Sequence, residues 1–99
     1  MPMLGNKYSI QYTPHVLRDD IPTLPKTMRL RIQKAIETRL TVDPINLGKA
    51  LRHSLKGCYR LRVGDYRVLY TIAESRTAVI IVSIKHRAIV YDEDNHLLT

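Results

Sequence analysis

Hydrophobic positions recur in steps of two near both ends of this chain and in helical steps between them. Residues 7–12 (KYSIQY) place Tyr8, Ile10 and Tyr12 on one side, as a strand would. Thr13-Pro14 should stop that strand, because proline brings no amide donor to a ladder. Residues 15–20 (HVLRDD) suit a short helix, and Pro22 and Pro25 punctuate the next few positions. Thr23 is a candidate N-cap, and Pro25 fits a first helical turn. From there to about Val42, the residues Met28, Ile32, Ala35, Ile36 and Leu40 fall on one helical stripe. Arg29, Arg31, Lys34, Glu37, Thr38 and Thr41 cover most of the remaining surface. Asp43-Pro44 should end this helix, since a residue before proline avoids the helical region.

Residues 45–56 read as a connection with room for one short helical turn. The period then returns to two. Residues 59–63 and 66–73 suit a hairpin around Gly64-Asp65. Residues 78–85 (AVIIVSIK) are nearly all apolar, as expected of a strand buried on both faces. A last short strand is expected near 88–91, after a bend at His86-Arg87. No repeat, low-complexity tract or linker interrupts the sequence. The order β-α-α-β-β-β, with that further short strand, predicts a single α+β domain over residues 1–99. Two N-terminal helices should pack on one face of a small, mainly antiparallel, twisted sheet.

The hairpin fixes a register. A two-residue turn at 64–65 pairs Val63 with Tyr66, Arg62 with Arg67, Leu61 with Val68 and Arg60 with Leu69. Tyr59, Leu61, Val63, Tyr66, Val68 and Tyr70 then share the core face, and Arg60, Arg62 and Arg67 share the other. Like charges directly opposite cost about a few tenths of a kcal/mol or more, and the hairpin puts no carboxylate on that face. Asp65, in the turn, helps only at the edge. One reading is a solvated face whose long basic side chains keep a sheet edge soluble. The other is an anion site, because arginine presents a planar fork of donors that matches phosphate. Arg87 and Tyr91 flank the last expected strand and extend the second reading. Cations nearby would lower the pKa of a phenol from about 10 and make it a better proton acceptor. A packed strand aromatic is the alternative for Tyr91.

The chain has 99 residues, enough for one small domain with a modest core. Apolar residues make up 44% and charged residues 25%, which argues against disorder. The net charge of +7 favours a polyanionic partner: nucleic acid, ribosome, acidic protein or anionic membrane. Many small soluble proteins are simply basic, so charge alone does not choose among them. The single cysteine, Cys58, excludes an intramolecular disulfide and a cysteine-based metal site, and fits a reducing compartment. It is expected as a packed thiol at the start of a strand. No apolar run reaches the roughly 18–20 residues of a membrane span, and MPMLGNKYSI lacks a signal-peptide core. A cytoplasmic protein with no membrane association is expected. His15, His53 and His96 show no metal-ligand spacing. The glycines are isolated, so no phosphate loop is present. Asp92, Glu93 and Asp94 read as a solvated acidic tail, with a metal cluster as the less favoured alternative. No cofactor and no metal is expected.

Two stretches, LKGCYRLRVGDYRVLYTI (55–72) and IVSIKHRAIVY (81–91), resemble the RelE/ParE toxin superfamily of bacterial and archaeal toxin–antitoxin pairs. The shared features are a Lys-Gly, a Tyr-Arg-Leu-Arg strand, a Gly-Asp-Tyr-Arg turn and a terminal His-Arg…Val-Tyr. LPKTMRLRIQKAIETRL (24–40) is similar to the family's second helix, so the likeness covers nearly the whole chain. It implies a compact sheet with two N-terminal helices on one side. It also implies a cognate, RelB-like antitoxin that wraps and neutralises the toxin, with operator DNA reached through that antitoxin. In the RelE branch the toxin enters the ribosomal A site and cuts mRNA by attack of a 2′-hydroxyl on the adjacent phosphate. In the ParE branch the target is DNA gyrase and no nuclease constellation is kept; an inactive member would bind only the antitoxin and operator.

By position, Arg60 and Arg62 match the two basic residues of the family's second strand. Arg67 and Arg87 match basic residues of the following strands, and Tyr91 matches the C-terminal tyrosine of RelE-type chemistry. One familiar form of the pattern has lysines at the first pair. An arginine there cannot act as a base in a protein. The resemblance therefore implies Arg60, Arg62, Arg67 and Arg87 as phosphate-binding and charge-stabilising groups, with Lys56 and Lys85 beside them. Tyr91 is the candidate base, and His86 is the second candidate, its ordinary pKa near 6.5 suiting proton transfer. A strand-end histidine that only packs or caps is the alternative for His86.

Overall fold

Five strands form one sheet in the order β1-β5-β4-β3-β2. The computed structural model describes residues 7–89. The strands are β1 (Ser9–Tyr12), β2 (Lys49–Ala50), β3 (Tyr59–Val63), β4 (Tyr66–Ala73) and β5 (Ala78–His86). β1 runs parallel to β5, and every other neighbouring pair is antiparallel. The short helical turn Val16–Asp20, a 3-10 turn Ile21–Thr23, α1 (Lys26–Ala35) and α2 (Pro44–Leu47) follow β1 in that order. This is the α+β arrangement that the periodicity predicts.

The apolar stripe decides which face of α1 is buried. Ile32, Ile36 and Leu40 are buried against Leu61, Val63, Val68, Val79, Ile81 and Ile84, with Met28 and Ala35 packed at the margin. Full burial of such aliphatic side chains contributes about 1.5–3 kcal/mol each. The helix continues from Ala35 into a wider turn, Ile36–Leu40. There the hydroxyls of Thr38 and Thr41 donate back to the carbonyls of Lys34 and Glu37, at 2.8 and 2.6 Å. Asp43 ends this run and caps the next: its carboxylate accepts from the Asn46 amide, and Pro44 takes the first position of α2.

Three expectations need correction. Thr23 is not the N-cap of α1, because its hydroxyl donates to the Asp20 carbonyl at 2.7 Å inside the preceding turn. Pro25 holds the cap position instead, in an extended conformation, and the helix starts at Lys26. The connection after α2 holds an unanticipated strand, β2, whose two residues are both exposed and so leave no alternation in the sequence. The strand expected near 88–91 does not begin there: residues 87–89 form a turn, and the remainder lies outside the described residues.

A buried tyrosine ties the sheet to α2. The Tyr70 hydroxyl donates to the Pro44 carbonyl at 2.6 Å, and its ring stacks on Tyr59 with centroids 5.5 Å apart. Gly48 makes room for this contact, since a Cβ there would stand 1.8 Å from the phenolic oxygen.

Candidate nucleic-acid interface

The β3–β4 turn builds the site. Gly64 has φ +58°, and Asp65 has no positive φ, the backbone pattern of a type II′ hairpin turn. The observed pairs are Val63 with Tyr66, Arg62 with Arg67, Leu61 with Val68 and Arg60 with Leu69, the register derived from the sequence. β4 carries the row onward, pairing Arg67 with Lys85. Because directly opposed residues share a face, Arg62, Arg67 and Lys85 stand side by side across three strands. After β5 the chain folds back on the turn. The Arg87 amide donates to the Asp65 carbonyl at 2.7 Å, and its Nε stands 3.6 Å from Asp65 Oδ1 in an exposed ion pair. The result is a groove of about 280 Å³ lined by Arg62, Gly64, Asp65, Arg67 and Arg87.

Three of the expected residues thus converge, with one carboxylate among them. The others divide. Arg60 lies on the same face but farther from the turn, half-buried between Leu69 and Lys49, and does not line the groove. Lys56 is exposed in the approach to β3, also outside the groove. Lys85 begins on the arginine face, but its Nζ reaches Asp20 Oδ1 at 2.7 Å. His86 lies across the sheet, opposite Tyr66, with its ring edge-on to that tyrosine at 5.2 Å. Its Nδ1 accepts the Ala88 amide at 3.1 Å, which places the proton of the neutral ring on Nε2. Tyr91 lies outside the described residues.

The sequence pattern gave Asp20 no role, yet it anchors the margin of the site. β1 ends at Tyr12, opposite Ile81, so the edge of β5 beyond that point needs another acceptor. Asp20 supplies it: buried, it takes the Ile84 amide on Oδ2 at 2.9 Å and Lys85 on Oδ1, with His15 Nε2 3.4 Å away. The available signal was its spacing. Asp20 follows the buried Val16 by four residues, which puts an acid on the inward face of a short helical segment.

Burial disfavours Tyr12, Tyr70 and Cys58 as a competing nucleophile or base. Burial pushes the Tyr12 and Tyr70 phenols above their ordinary value, Tyr70 well above, with Tyr59 and Asp43 adding to the effect. Burial likewise raises the half-buried Cys58 thiol, which keeps it protonated. Among the described residues no group of His, Cys, Asp and Glu could hold a metal ion, and no helix is long and apolar enough to cross a membrane.

Comparison with known proteins identifies the family and agrees with the fold. The profile described as "ParE toxin of type II toxin-antitoxin system, parDE" matches residues 8–91. Two toxins of Mycobacterium tuberculosis, RelG and RelE, are each 33% identical over 84 residues, or 85% of this chain; the match covers 95% of RelG and 86% of RelE. The toxin–antitoxin complex RelBE2 of the same organism contains a chain that superposes with a TM-score of 0.76 at 32% identity, covering 84% of this chain and 94% of that one. The isolated Escherichia coli RelE toxin has the same fold, with a TM-score of 0.68 at 18% identity, covering 92% of this chain and 95% of that one. The chain belongs to the RelE/ParE superfamily, the toxins of type II toxin–antitoxin systems, and has the RelE-like fold.

Proposed function

We propose that this toxin is a ribosome-dependent mRNA endoribonuclease that halts translation in the cytoplasm. The convergence of Arg62, Arg67 and Arg87 on one groove carries the reading. Guanidinium groups stay charged at every relevant pH, so together they bind a phosphodiester and stabilise the negative charge that grows on it during displacement. Arg60 and Lys56 serve the flanking phosphates. Lys85, held by Asp20, steadies the margin of the site.

The reaction is internal to the RNA. The 2′-hydroxyl gives its proton to Tyr91, acting as the base, and its oxygen attacks the adjacent phosphorus. The bond from phosphorus to the 5′-oxygen breaks, and that oxygen takes a proton from solvent. A cyclic phosphate and a 5′-hydroxyl result. His86 is a poorer base, because its ring packs on Tyr66 across the sheet and its Nδ1 already accepts an amide. The inhibiting partner is a RelB-like antitoxin with an amphipathic helix and an acidic balance, through which operator DNA is bound. The solved RelBE2 relative, itself a toxin–antitoxin complex, supports an antitoxin as the partner.

The test is translation in a cell-free extract with primer extension on the mRNA. Cuts phased with the ribosome are expected from the native protein. Tyr91→Phe should abolish them while ribosome binding persists, and cleavage at the native rate by that variant would remove Tyr91 as the base. The matching profile names ParE toxins, which favours a second reading: a non-enzymatic inhibitor of DNA gyrase. Inhibited supercoiling with intact mRNA would establish that reading instead.

A further inference from the structure

A second basic groove lies on the helix side of the same hairpin. It measures about 250 Å³ and is lined by Arg31, Lys34, Ala35, Thr38 and Arg39 of the long helix with Arg62, Val63 and Gly64 of the hairpin. Its helical residues sit at i, i+3, i+4, i+7 and i+8, one stripe beside the apolar one. Ala35 and Thr38 contribute short side chains to the lining, and Arg31, Lys34 and Arg39 contribute long cationic ones. Among the described residues no acid lines this groove. Glu37, the one acid of the helix, faces a different cavity beside Tyr12 and Gln33, and accepts the Gln33 side chain at 3.2 Å. Among the described residues no carboxylate pairs with Arg31, Lys34, Arg39 or Arg62.

Arg31 and Lys34, one helical turn apart, are like charges that repel each other. A bound polyanion would offset that repulsion. The two grooves also share a wall: Arg62 and Gly64 line both. Gly64 allows the close approach of hairpin and helix, because a Cβ there would stand 2.7 Å from Met28 Cε and 3.1 Å from Arg31 Nη1. The joined path is strongly cationic, with Asp65 its single carboxylate among the described residues.

We propose that the two grooves form one continuous track for a single-stranded polynucleotide. Its phosphates pass from the arginine groove over Gly64 and Arg62 to Arg31, Lys34 and Arg39. The inference rests on the polynucleotide reading of the arginine groove but does not require cleavage, so binding alone tests it. Fluorescence anisotropy would follow a labelled single-stranded RNA decamer and a trinucleotide over a series of salt concentrations. The protein would be native or carry Arg31→Gln, Lys34→Gln and Arg39→Gln together. All three side chains are exposed, so the variant should fold, and a thermal melt verifies it.

Neutralising three phosphate contacts should lower the slope of log affinity against log salt by about 2, at roughly 0.7 per contact for single strands. Decamer affinity should fall at least tenfold near physiological salt, and trinucleotide affinity by less, because fewer of its phosphates can reach the helix groove. A folded variant with unchanged decamer affinity and slope would overturn the proposal. So would an unchanged decamer together with lost binding of poly-glutamate, which would make the groove a site for an acidic protein segment. Failure of mRNA cleavage with the decamer result intact would overturn only the nuclease reading.

Discussion

Asp20 is a carboxylate taken out of water, and its two oxygens are accounted for by the Ile84 amide and the Lys85 amine. Removing it orphans a buried amide, whereas Lys85 can turn toward solvent. Asp20→Ala should therefore cost about 2 kcal/mol, within the range for one unsatisfied buried donor, as read from urea denaturation. Asp20→Asn keeps an acceptor for Ile84 and should cost less. Equal losses would mean that the charge pair, not the amide, carries the stability. Cys58 gives a pH prediction. Burial raises its pKa, so less thiolate exists at any given pH, and the pH at which alkylation accelerates should lie above that of free cysteine. A rate profile with iodoacetamide shifted to lower pH would contradict the structure. At this scale the sequence was legible where side chains alternate: Arg62 facing Arg67 came from counting. The spacing of Asp20 from Val16 marked it as inward-facing, but its partners were not legible, because they lie 64 and 65 residues away on a strand edge that only the assembled sheet defines.

Among elements, the hairpin and α1 were readable because each imposes a period on many residues, and the turn chemistry of Gly64-Asp65 set the register. β2 and the contact of β4 with α2 left no such trace. Gly48 read as an isolated glycine, yet its lack of a side chain admits the Tyr70 hydroxyl to the Pro44 carbonyl. Its φ of −112° is open to any residue, so the constraint is steric and not conformational. Gly48→Ala should destabilise by about 1–3 kcal/mol through overpacking. The same change in a Tyr70→Phe background should cost less, because the closest contact has gone. The coupling in that double-mutant cycle is the measurement. Strictly additive costs would mean that the phenol does not meet residue 48.

For the whole molecule, the net charge of +7 predicted a polyanionic partner without locating it. The folded chain gathers cations on the hairpin and the adjoining face of α1, and it leaves Glu37 and Asp20 on other surfaces or buried. Charges arranged in this way speed the approach of an anionic partner and lose that effect as salt rises. Arg31, Lys34 and Arg39 escaped notice as a site because a helix pattern assigns them simply to solvent; only the packing of Gly64 against α1 joins them to Arg62. The central claim is that the arginine groove holds the phosphate at which mRNA is cut, and Arg67 is its most enclosed arginine, half-buried between Arg62 and Lys85. The decisive measurement is the single-turnover rate of mRNA cleavage on programmed ribosomes by the native toxin and by Arg67→Ala. Loss of a donor aimed at developing charge predicts a fall of about a hundredfold or more. A variant that cuts within twofold of the native rate, while folded and ribosome-bound, would contradict the account.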